Sequence, residues 1–124
     1  MTTKKIAKPT VARSKGAQVK KPAVQVGTVR VAAIQMASGP NVSANLAEAE
    51  QLIELAVDSG ARLIALPEFF SIMGLKDADV VKAREAEGHG PIQSFLSRMA
   101  KKHKIWLIGG SVPLEASVAN KVRN

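Results

Sequence analysis

Three short apolar runs constrain this chain more than any other feature: VRVAAIQM (residues 29–36), RLIAL (62–66) and IWLIGG (105–110). The first is apolar apart from Arg30 and Gln35, which suits a strand covered on both faces. The other two read as further internal strands. Ser38, Gly39 and Pro40 form a turn after the first run. A helix is predicted over 43–59, with Leu46, Ala49, Ile53 and Ala56 on one side and Glu48, Gln51, Glu54 and Asp58 on the other. Gly60 stands where a left-handed C-terminal cap belongs. Strand, helix and strand within about forty residues make a βαβ unit, so the fold class is α/β.

The pattern continues beyond residue 70. A short helix is predicted around 77–85. Pro91 then opens a second clear helix, being suited to the first helical position. Ile92, Phe95, Leu96, Met99 and His103 share one of its faces. Lys101, Lys102, His103 and Lys104 crowd its C-terminus, where cations complement the helix dipole. Residues 111–124 read as a loop and the beginning of another strand.

Charge divides the chain in two. The net charge is +8, from 18 Lys and Arg against 10 Asp and Glu. Lys4, Lys5, Lys8, Arg13, Lys15, Lys20, Lys21 and Arg30 all precede the first acid, Glu48, and from there the signs balance. Residues 1–27 are rich in Lys, Ala, Pro and Gly, and contain no aromatic residue. They read as a disordered basic arm. A nucleic-acid-binding tail is the functional alternative, but no basic helix face or stacking aromatic supports it. An organelle transit peptide is a weaker reading, because the arm is rich in Lys rather than Arg. Residues 28–124 form the folded unit.

Several chemistries are excluded. The chain has no cysteine, hence no disulfide, thiolate metal site or cysteine nucleophile. No apolar run approaches the ~20 residues of a membrane span. The N-terminus lacks the apolar core of a secretory signal, and a cytoplasmic location is expected. His89 and His103 do not form a ligand pair, so neither metal nor cofactor is expected. His89 reads as an exposed loop residue, His103 as part of the helix C-terminus, and Trp106 as core. Gly109-Gly110-Ser111 reads as a strand-ending turn, lacking the spaced glycines of a dinucleotide site. Ser111 has no evident base and is not a hydrolase nucleophile.

One residue stands apart. In ARLIALPEFF (61–70) an apolar strand runs into Pro67 and then a single carboxylate, Glu68, beside Phe69 and Phe70. Proline biases the preceding residue towards an extended conformation. Glu68 is therefore placed just past the carboxyl end of a strand, where α/β proteins keep their chemistry. Water exclusion by the two phenyl rings would raise its pKa towards that of a general base. An ordinary surface glutamate on a loop is the competing reading.

Taken together, VRVAAIQM, NVSANLAEAEQLIELAVDSGA, RLIALPEFF and GPIQSFLSRMAKKHKIWLIGGSVP resemble the start of the carbon–nitrogen hydrolase (nitrilase) superfamily. Within it they are similar to the Nit-like amidases of the deaminated-glutathione amidase type. The resemblance covers about 28–124. It implies a four-layer α-β-β-α sandwich, of which this chain would supply a truncated portion. It also implies a Glu-Lys-Cys triad that cleaves small-molecule amides or nitriles through a thioester or thioimidate. Glu68 matches the family's general base. The Lys-bearing motif normally follows a segment like KVRN, on which this chain ends, and Lys121 precedes the expected position. The family's Cys has no counterpart here. The resemblance therefore implies the N-terminal part of a longer enzyme, inactive alone and homo-oligomeric when whole. The alternatives are a small α/β binding module with a nucleic-acid-binding arm and a truncated pseudoenzyme.

Overall fold

The computed structural model describes residues 27–124. The expectation for the basic arm lies outside the described residues, apart from Gly27. The elements are β1 (Val31–Ala33), α1 (Val42–Asp58), β2 (Leu63–Ala65), α2 (Asp77–Lys82), α3 (Pro91–His103), β3 (Trp106–Ile108), β4 (Leu114–Glu115) and β5 (Val122–Arg123). The first three strands form a parallel sheet in the order β1-β2-β3, with Ala32, Ile64 and Leu107 in register. The ladder runs slightly past the strand ends, through Ile34 N–H to Ala65 O and Leu66 N–H to Ile108 O, both 2.9 Å. β4 and β5 pair antiparallel.

Both crossovers step in the same direction along the sheet. Right-handed connections then place α1 and α3 on one face of it. The core lies between them: Ala49 and Ile53 from α1, Ile92, Phe95 and Met99 from α3, and Ile64 from the middle strand. Ala32 and Leu107 pack against this cluster. Among the described residues, no helix packs on the opposite sheet face. Val31 (63% exposed), Trp106 (80%) and Ile108 (54%) lie on it. The expectation of strands covered on both faces, with Trp106 in the core, is therefore corrected. In β1 and β3, alternate residues are half-buried and exposed, because the described residues supply one helical layer.

Local sequence explains the helix ends. Asn41 caps α1, its side-chain oxygen accepting the Ala44 N–H at 3.1 Å. Gly60 adopts φ 87° after that helix. α3 begins at Pro91 and carries Lys101, Lys102 and His103 in its last turn. α2 stops at Lys82, three residues before the expected end at Glu85. Glu85 instead forms a parallel bridge to Leu114. Its buried carboxylate turns back onto the start of α3, accepting from the Ile92 and Gln93 backbone N–H groups and from Gln93 Nε2. An acid there complements the helix N-terminus. Gly90 makes room for it, since a Cβ at that position would collide with the Glu85 side chain. The Gln93 amide also organises the intervening loop. It donates to Ala86 O (2.8 Å) and His89 O (2.9 Å) and accepts from Gly88 N–H (2.8 Å).

α1 and α3 are joined at their surface by Arg98–Glu50 (3.1 Å), Lys102–Glu54 (2.7 Å) and Lys102–Glu50 (3.7 Å). The Arg98 guanidinium bonded to Glu50 holds that carboxyl below its ordinary 4.5, and Lys102 adds to the effect. The Glu54 carboxylate raises the Lys102 ammonium above its ordinary value. A depressed carboxylate stabilises the fold above its unfolded pKa and loses that contribution as pH falls through the folded one. The Glu50–Arg98 contribution should therefore be present above about pH 4.5 and be lost progressively as pH falls from there through the lowered folded value. It should stay under about 1 kcal/mol, as for other exposed pairs. An acid titration of the helical circular dichroism signal should show a loss over this window that Glu50→Gln removes. An unchanged acid limb in that variant would contradict the assignment.

Candidate functional site

In a parallel sheet all strands deliver their carboxyl ends to one edge. Here that edge gathers three segments: Ser38–Gly39 after β1, Pro67–Ser71 after β2, and Gly109–Ser111 after β3. Glu68 lies on the middle segment. Its turn closes through Phe70 N–H to Pro67 O at 3.1 Å.

Each flank fixes this turn by a different device. On the β3 side, the Ser111 N–H donates to Glu68 O at 2.8 Å. Gly110, at φ 58°, lies so close to the turn that a Cβ there would overlap Pro67 O. Glycine meets both demands, the left-handed backbone and the close approach. Gly109 leaves room for the Leu96 side chain, since an added Cβ would lie 2.6 Å from its Cδ1. These glycines thus serve backbone packing, as expected for a strand-ending turn.

On the β1 side the device is Asn45 of α1, a buried side chain only 4% exposed. Its Nδ2 donates to Gly39 O (2.8 Å) and Ser71 O (2.9 Å), and its Oδ1 accepts from Gly39 N–H (2.9 Å). Ser38 Oγ donates to Phe70 O at 3.3 Å, and Met73 N–H to Gly39 O at 2.9 Å. One amide side chain thereby ties the β1 loop to the segment that follows Glu68. Sequence reasoning missed Asn45. A polar residue among the apolar positions of an amphipathic helix was the available signal.

The two phenylalanines separate. Phe70 is wholly buried in the core, and Phe69 remains 42% exposed. Glu68 itself is exposed. The expectation that both rings exclude water from this carboxylate is corrected, because consecutive residues of the turn project to different sides and only Phe70 enters the core. His89 is exposed in its loop, as expected. His103 is half-buried at the end of α3, and its Nε2 has no hydrogen-bond partner among the described residues. Neither histidine approaches a metal site: among the described residues no group of three His, Asp or Glu side chains could hold an ion. Nor is any helix among them long and apolar enough to cross a membrane.

The structure thus places the Glu68 carboxylate just past the end of the central strand, with its backbone oxygen bonded to Ser111 N–H. The carbon-nitrogen hydrolase family profile matches residues 30–123. The chain belongs to the carbon–nitrogen hydrolase family. It is 38% identical over 94 residues to the deaminated glutathione amidase of Synechocystis sp., covering 75% of this chain and 34% of that protein. It is 32% identical over 95 residues to the chloroplastic omega-amidase of Arabidopsis thaliana, covering 74% and 26%. Among solved structures it is similar to the C. elegans NitFhit protein, with a TM-score of 0.52 and 29% identity over 62% of this chain and 18% of that one. The chain thus spans about a third or less of the length of these carbon–nitrogen hydrolases. The α/β fold is part of the nitrilase fold, of which these residues cover only a portion.

The Gly110 contact yields a test. Gly110→Ala should push the Pro67–Glu68 turn away and break the bond from Ser111 N–H to Glu68 O. Deuterium uptake by peptides covering 66–73 and 109–113 should rise several-fold, while uptake across α1 stays unchanged. Equal uptake in both variants would show that the contact does not hold the turn.

Proposed function

We propose that residues 28–124 are the N-terminal part of an amidase-type carbon–nitrogen hydrolase and that Glu68 is its general base. The observation that carries this reading is the fixed backbone of Glu68 at the end of the central strand, bonded to Ser111 N–H at 2.8 Å. In this reading a Lys and a Cys outside these 124 residues complete the site. Glu68 takes the thiol proton, and the thiolate forms a bond to the amide carbon. The lysine ammonium stabilises the oxyanion. The proton held by Glu68 leaves with ammonia as the C–N bond breaks, and water then hydrolyses the thioester. A nitrile would pass through a thioimidate. The exposure of Glu68 fits a base whose surroundings come from further chain. Residues 1–27 are a basic arm outside this unit, with no role in nucleic-acid binding, and the complete enzyme is a cytoplasmic homo-oligomer.

A chimera tests the base. Residues 30–123 would replace the matching segment of the Synechocystis relative. Glu68→Gln in that chimera should lower kcat for amide hydrolysis by about 10²–10⁴-fold with little change in KM. Full activity in Glu68→Gln would remove the assignment.

A second expectation concerns the chain alone. It lacks a cysteine and exposes Val31, Trp106 and Ile108 on one sheet face. Apolar faces of this kind promote association. The isolated chain should self-associate, hydrolyse no amide and unfold without a sharp transition. Trp106→Lys should reduce the association measured by light scattering. A soluble monomer with a cooperative transition would contradict this expectation.

A further inference from the structure

We propose that Glu85 is a positioning residue for Glu68, acting through the 111–115 segment that clamps the Glu68 turn. The proposal rests on the amidase reading, which it deepens by naming a residue away from the sheet edge on which the placement of the base depends. Glu85 uses its backbone and its side chain on different partners. Its N–H donates to Pro113 O and its C=O accepts from Glu115 N–H, both at 2.9 Å. Its carboxylate, in a residue only 6% exposed, accepts from Ile92 N–H, from Gln93 N–H at 3.1 Å and from Gln93 Nε2 at 3.1 Å. The segment gripped by its backbone also holds the base. Ser111 N–H bonds Glu68 O at 2.8 Å, and Gly110 lies against Pro67 O. Glu85 therefore connects the start of α3 to the strip of chain that fixes the Glu68 backbone.

Helix capping alone accounts for only half of this arrangement. A short polar side chain at the residue preceding the helix would cap α3. Gly90 stands there instead, at φ 132°, and offers no side chain. The chain forgoes a Cβ at that position to admit Glu85, because one would collide with the Glu85 Cδ. Burial of a carboxylate is costly unless it is well bonded. Among the described residues no cationic side chain pairs with Glu85, and N–H donors hold it. Such charge-assisted bonds are directional, and a flexible ammonium would fix the carboxylate less narrowly. The backbone bonds pass that position to Pro113 and Glu115. Placement matters because a base must lie within hydrogen-bond reach of the proton it takes, and an error of about 1 Å can cost about 10²-fold in rate.

The chimera carrying residues 30–123 tests this in a complete enzyme. Glu85→Gln keeps the side chain's shape and sets an amide NH₂ against the α3 donors. It should lower kcat for amide hydrolysis about 10–100-fold and change KM by less than about threefold. The double variant Glu68→Gln/Glu85→Gln should be no slower than Glu68→Gln alone, since no base remains to be placed. Gln93→Met, which removes one donor, should give a smaller fall with the same non-additivity, and it carries the cycle alone should Glu85→Gln not fold. Ile53→Val, a core variant away from this path, should keep its kcat. An unchanged kcat in Glu85→Gln, or in Gln93→Met where that variant stands alone, overturns the proposal. So does a fall that multiplies with that of Glu68→Gln, or an equal fall in Ile53→Val, because each marks a role in folding only. The amidase reading fails by a different result, full activity in Glu68→Gln. Deuterium uptake over 66–73 then decides for Glu85: it should rise several-fold in Glu85→Gln, and unchanged uptake overturns the proposal.

Discussion

Handedness governs this structure. Two right-handed crossovers that step the same way along a parallel sheet place both helices on one side. They also bring every strand's carboxyl end to one edge. The single-sided core of Ile53, Ile64, Phe95 and Met99 follows from the first consequence. The meeting of the Ser38, Glu68 and Ser111 segments follows from the second. The same geometry therefore builds the candidate site and leaves a sheet face open at Trp106.

Polar groups then set what handedness alone leaves loose. Loops at the end of a parallel sheet leave backbone N–H and C=O groups without ladder partners, and burial makes each one costly. Asn45 satisfies three of them with one side chain, and Glu85 satisfies two at the start of α3. Each bridges segments distant in sequence. Two glycines allow this closeness: Gly110 against Pro67 and Gly90 against Glu85. The site edge is thus held by hydrogen bonds and short backbone approaches, with the apolar core beneath it.

Much of this was legible in the residues. Gly60 closes α1 and Pro91 opens α3, because caps and proline act locally; the Asn41 cap that starts α1 went unread. The apolar runs marked all three parallel strands, and Pro67 marked where the second one ends. Strand patterning did not show the open face, which only the truncated sandwich implied by the resemblance anticipated. An apolar strand reads the same whether one layer covers it or two, so Trp106 and Ile108 passed for core. Glu85 read as a helix residue because its partners, Ile92 and Gln93, lie across a turn that no local pattern announces. Glu68 was recognisable by position, while its exposure depends on neighbours that strand periodicity does not specify.

The loop before α3 shows a different kind of constraint. Gln93 offers its amide nitrogen to two carbonyl oxygens and to the Glu85 carboxylate, and its own oxygen to the Gly88 N–H. The requirement there is for direction of donation, since almost any side chain of similar length would fit the space. A glutamate at 93 would match its shape and turn donors into acceptors facing acceptors. Deamidation, usually a minor surface lesion, would at this position set two acids against each other at the root of a helix.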